Sequence, residues 1–180
     1  MIDADVVQTG RMLSMGKAEE LPQAFDDWER GYRELAARRS ELMRLSRDFL
    51  DGGREDESGQ LRELQRQAAD FLQLAETHIG LEIRFVPELE AYLGPEETAP
   101  SVHFASLVLN ELYLAAKAHV LAFLRQVDAA RIPVSARCAR TMAGSLREGL
   151  LLAGEYLEAE RRLFLPSAER LAADLESWYA

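Results

Sequence analysis

Apolar residues along this chain recur at intervals of three and four, the spacing of one face of an α-helix, rather than at the interval of two that marks a strand. From Pro22 the positions Phe25, Trp28, Tyr32, Leu35, Leu42, Leu45 and Phe49 form one stripe, which ends at the polar, glycine-bearing stretch 51–59 and predicts a loop there. A second stripe follows Leu61, Leu64, Ala68, Phe71, Leu74, Ala75, His78, Glu82 and Phe85 to Pro87. Beyond the Gly94 to Pro100 stretch a third takes Val108, Leu112, Ala115, Ala116, His119 and Phe123 and stops near Ile132-Pro133. The fourth runs through Met142, Leu146, Gly149, Leu152, Ala153, Tyr156, Glu160 and Leu163 to Pro166, after which Leu171 and Leu175 predict a short C-terminal helix. Each stripe needs a facing partner, and short connections make sequence neighbours spatial neighbours. The pattern therefore predicts an all-α, antiparallel up-and-down four-helix bundle over residues 21–180. Residues 1–20 show no period and read as a loose or partly helical N-terminal arm.

Two of these stripes resemble each other. Residues 73–82 (QLAETHIGLE) align without gaps on residues 151–160 (LLAGEYLEAE), and each segment then meets a proline, Pro87 or Pro166. Helices two and four read as equivalent halves of a bundle built from two hairpins. His78 with Glu82, and Tyr156 with Glu160, then enter the core at one level as a polar layer.

Composition narrows the picture. A chain of 180 residues, 48% hydrophobic and 29% charged, is long enough for one domain and apolar enough to bury a core. Its net charge of −10 has the wrong sign for tracking phosphates, so nucleic-acid binding is disfavoured. The longest uncharged run, Thr98 to Asn110, is shorter than the ~20 apolar residues of a membrane span. The acidic start, with Asp3 and Asp5, is unlike a signal peptide, and the expectation is a cytoplasmic protein without membrane or nucleic-acid partners. The single cysteine, Cys138, excludes an intrachain disulfide and a paired-cysteine metal site and is given no role. The Gly-rich and nucleophile motifs of kinases, dehydrogenases and hydrolases are missing, which favours a binding protein over an enzyme.

His78-x-x-x-Glu82 sets an imidazole and a carboxylate one turn apart on one helix face, a donor pair suited to iron, zinc or manganese. Together with the following Ile83-Arg84-Phe85-Val86-Pro87 and the related Arg161-Arg162-Leu163-Phe164-Leu165-Pro166, this pattern resembles the hemerythrin-like, HHE cation-binding family. The resemblance implies a four-helix bundle with a non-haem iron centre. On its terms His78 and Glu82 stand at the helix-two ligand positions and Glu160 at the helix-four carboxylate. Tyr156 replaces the helix-four histidine. The helix-one histidine position falls near Gly31 or Tyr32 and the helix-three one near Leu112, while His119 lies seven residues on, about 10 Å along the axis. The implied set is therefore His78, Glu82, Tyr156 and Glu160 holding one ferric ion, for which a phenolate is a competent ligand, rather than the family's two irons.

Two functions remain open from sequence. One is a bundle that binds iron or a small ligand in its core and senses oxygen, nitric oxide or iron. The alternative is a degenerate, metal-free bundle, its four polar residues hydrogen-bonded to one another, acting as an interaction or regulatory protein. A di-iron oxidase is disfavoured by the missing imidazoles. His103 reads as a surface or capping residue, His119 as a core or lining histidine, and Tyr32 and Tyr113 as packing. The Trp178-Tyr179 pair reads as a packing anchor, with a homo-oligomer contact as the alternative.

Overall fold

The computed structural model describes residues 15–52, 57–93, 101–131 and 133–179, and within them the chain forms four helices and no strand. They are α1 (Met15–Asp51), α2 (Glu57–Leu93), α3 (Ser101–Ala129) and α4 (Ala136–Tyr179). The protein is an all-α four-helix bundle. Residues 1–14 of the expected arm lie outside the described residues, whereas α1 already begins ahead of Pro22. The first loop is shorter than expected, since Glu57, Ser58 and Gly59 are helical.

α1 packs against α2 and α4, and α3 packs against the same two helices. Across the bundle α2 and α4 also approach each other, while α1 and α3 do not. This unequal diagonal puts the two helices with the repeated segment face to face.

On α1 and α2 the buried positions follow the expected stripes, with Trp28, Leu35, Leu42 and Phe49 against Leu61, Leu64, Phe71 and Phe85. Aromatic rings close one end of the core: Trp28 stacks on Phe85 at 5.2 Å between centroids and meets Phe164 edge-on at 6.5 Å. α4 starts at a serine cap, in which the Cys138 backbone N–H donates to Ser135 Oγ at 3.3 Å. Cys138 itself is exposed.

Three expectations need correction. Neither Pro87 nor Pro166 ends its helix: α2 runs on to Leu93, and the segment after Pro166 continues α4 instead of forming a separate short helix. An interior proline removes one backbone hydrogen bond, a cost of ~3 kcal/mol that packing of the flanking turns must offset. Phe85, Val86 and Leu89 around Pro87, and Phe164 before Pro166, are buried and supply that packing. On α4 the core residue is Phe164, and Leu163 is exposed. On α3 the expected stripe is rotated from the real one, which runs Ala105, Leu109, Ala116, Val120, Phe123 and Val127, so that His119 is exposed rather than buried. The side chains of His103, Trp178 and Tyr179 lie outside the described residues.

A candidate polar site in the bundle core

The repeat gives each of α2 and α4 a hydrogen-bond donor followed four residues later by a glutamate, His78 then Glu82 and Tyr156 then Glu160. Both helices run antiparallel to α1, α2 with Trp28 at Phe85 and Arg38 at Asp70, α4 with Trp28 at Glu160 and Arg39 at Leu150. They are therefore parallel to each other, with residue 78 level with 156 and 82 level with 160, and each donor reaches diagonally to the glutamate of the other helix. His78 Nε2 lies 2.7 Å from Glu160 Oε1, and Tyr156 OH donates to Glu82 Oε2 at 2.6 Å. All four residues are buried. The expected convergence is present, but as two crossed hydrogen-bonded pairs.

A fifth residue completes the layer. Trp28 of α1 donates its indole N–H to Glu160 Oε1 at 2.6 Å, so that one oxygen receives donors from both α1 and α2. Sequence reasoning treated Trp28 as packing alone; the signal available was the need of any buried indole N–H for an acceptor. With Nε2 of His78 as donor, its Nδ1 is left without a partner, as is Glu160 Oε2. Nδ1 faces Gly31, where even a Cβ would stand 2.9 Å away. Tyr32 and Tyr113 flank the layer, with ring centroids 6.4 Å from His78 and 6.4 Å from Tyr156.

Burial sets the protonation of the second pair. It pushes the Glu82 carboxyl from 4.5 up to about 7, against the Tyr156 hydrogen bond, which lowers it, and with the nearby charge of Glu160, which raises it further. Burial also drives the Tyr156 phenol far above its ordinary range, helped by the charges of Glu160 and Glu82 and by the bond it donates to Glu82. Tyr156 holds its proton.

Glu82 is the member of the layer nearest to solvent. It lines a pocket of about 190 Å³ between α2 and α3, together with Ile79, Ile83, Val86, Ser106 and Asn110. On the other side Tyr156 borders a small, mostly apolar cavity of about 20 Å³, room for about one water.

These residues do not fit the iron that the family resemblance implies. The Nε2 atom that would ligate is turned to Glu160, the phenol is a donor and not a phenolate, and an indole N–H occupies the approach to Glu160 Oε1 where a cation would sit. Among the described residues no group of three or more His, Cys, Asp or Glu side chains is arranged to hold a metal ion. His119 is exposed on α3, and Leu112 and Tyr32 are apolar or phenolic neighbours that add no imidazole. In comparisons with known proteins no family model, no curated protein and no solved structure matches the chain.

Proposed function

We propose that the protein is a metal-free bundle of the hemerythrin-like kind, in which a proton-sharing pair and an imidazole–carboxylate pair stand where such bundles hold iron, and that it acts through its surface as an interaction or regulatory protein. The observation that carries this reading is the crossed pairing of His78 with Glu160 and of Tyr156 with Glu82. A donor four residues ahead of a glutamate, duplicated on two parallel helices at one level, is self-complementary across the diagonals: the pairs need no cation to be buried at tolerable cost.

A single cation on Glu160 Oε2 is the competing reading, favoured by that oxygen having no partner. Metal analysis decides between them. Protein grown in iron-rich medium, and protein loaded with ferrous iron without oxygen and then exposed to air, is expected to retain substoichiometric metal, to stay colourless and to melt at the same temperature with and without chelator. Stoichiometric iron with a visible charge-transfer band that Tyr156→Phe abolishes would replace this proposal with the iron-binding one.

A further inference from the structure

α3 is apolar on two sides. One side is the core stripe already described; the other faces outward and carries Leu107 at 54% and Leu114 at 48% exposure, followed by Ala118 and Leu121. By length and composition the stretch Ala105–Ala129 would be apolar enough to cross a membrane, although the longest uncharged run is short, because its few charges are spread out. Only 22% of its most apolar window is buried in the bundle. Ile83 of α2, 67% exposed, lines a pocket with Ser106 and Asn110 of α3.

The charges on this face are as informative as its leucines. Arginines and acids on the other helices pair locally, as in Arg44 with Asp48, Arg66 with Glu63 and Arg162 with Glu158. Glu111 and Arg125 are exposed, and neither makes an ion pair among the described residues. They lie seven residues, about two turns and 10 Å, to either side of Ala118, on the same outward stripe. α3 as a whole carries Glu111 and Asp128 against Lys117 and Arg125, so it is neutral in a chain of net charge −10. Two such acidic molecules repel least across this helix.

We infer that the outward face of α3 is a two-fold interface with a second copy of this chain, in which the two α3 helices run antiparallel and cross at Ala118. An isologous contact must be self-complementary. Here Glu111 meets the partner's Arg125 and Arg125 meets the partner's Glu111. Large residues fall opposite small ones: Leu114 opposite the partner's Ala122, Leu121 opposite the partner's Ala115, and Leu107 opposite the partner's Ala129. Alanine at the crossing point allows the close approach that packed helices need. A parallel pairing fails the same test, because it sets Glu111 against the partner's Glu111.

This inference is independent of whether the core binds metal. Sedimentation equilibrium between about 1 and 100 µM is expected to show a dimer, and Leu114→Glu a monomer with an unchanged helical spectrum. Glu111→Arg and Arg125→Glu each place like charges across the interface and are expected to weaken the dimer about tenfold or more. The double variant E111R/R125E is expected to restore it, which parallel pairing would not allow. A monomeric wild type at the highest concentration, a dimer indifferent to Leu114→Glu, or a failure of the double reversal to rescue overturns the inference. So does a monomer that floats with phosphatidylcholine vesicles and loses that binding in Leu114→Glu.

Discussion

Replacing Glu82 by glutamine is predicted to remove a pH dependence from the stability of the fold. Glu82 is 8% exposed, and burial holds its carboxyl at about 7 in the folded chain against 4.5 ordinarily. An acid that binds its proton more tightly when folded contributes stability that is complete below the unfolded pKa and lost as the pH rises through the folded one. The window is therefore pH 4.5 to about 7, with stability falling upward through it. A shift of about two and a half units, at ~1.4 kcal/mol each, makes the loss about 3 kcal/mol. Glutamine keeps the shape of the protonated acid and accepts from Tyr156, and its amide N–H groups reach the side of the residue that borders Ser106 and Asn110. Urea titrations followed by circular dichroism at pH 5 and pH 8 measure the effect as the difference between wild type and Glu82→Gln, in which other titrating groups cancel. Glu63, held at about 2 by its bonds to Arg66 and Gln67, titrates below the window in any case. The expected result is near-equality at pH 5 and a variant more stable by a few kcal/mol at pH 8. The reasoning is refuted if the difference between the two proteins is the same at both pH values.

Tyr156→Phe removes the donor that lowers the Glu82 pKa, so the midpoint of this pH dependence should move upward while its sign is kept. Trp28→Phe keeps the ring packing but takes one of two donors from a buried glutamate oxygen; a loss of about 2 kcal/mol in urea unfolding is expected. Gly31→Ala brings a methyl to 2.9 Å from both His78 Nδ1 and Leu81 Cδ1 and is expected to destabilise by about 1–3 kcal/mol, although alanine is the better helix former. Gly80→Ala meets nothing within 4 Å and should stabilise by about 1 kcal/mol, so the pair of melts separates steric effects from propensity.

Much of the bundle was legible because three of its helices bury one side and solvate the other. α3 was misread for a physical reason: with apolar residues on its outer side as well, periodicity offers more than one phase, and Leu112 and His119 were chosen over Leu109 and Val120. At Leu163-Phe164 the helix phase alone could not choose between neighbours, and the larger ring took the core. The four residues of the polar layer were correctly brought to one place by the repeat. Their pairing was not legible from it, because alignment sets His78 level with Tyr156 and Glu82 level with Glu160, whereas the hydrogen bonds run diagonally between the two parallel helices, from His78 to Glu160 and from Tyr156 to Glu82. Gly31 is no simple site for a histidine, because its missing side chain is the space that the His78 ring fills.

The crossed pairs also bear on how the chain rejects its own near misses. A seam of leucine and alanine tolerates sliding, since one apolar contact replaces another at little cost. Sliding α2 one turn along α4, about 5.4 Å, would set Glu82 level with Phe164 and Tyr156 level with Leu74; the opposite slide would set Glu160 level with Val86 and His78 level with Leu152. Either displacement strands one buried carboxyl, Glu82 or Glu160, so the layer works as an alignment key that leaves one register open, at the expense of some stability. Replacing all four residues by apolar ones of similar size should leave the helix content intact while the amide spectrum broadens, as a bundle without its key samples several alignments. A spectrum as sharp as that of the wild type would show that packing alone sets the register.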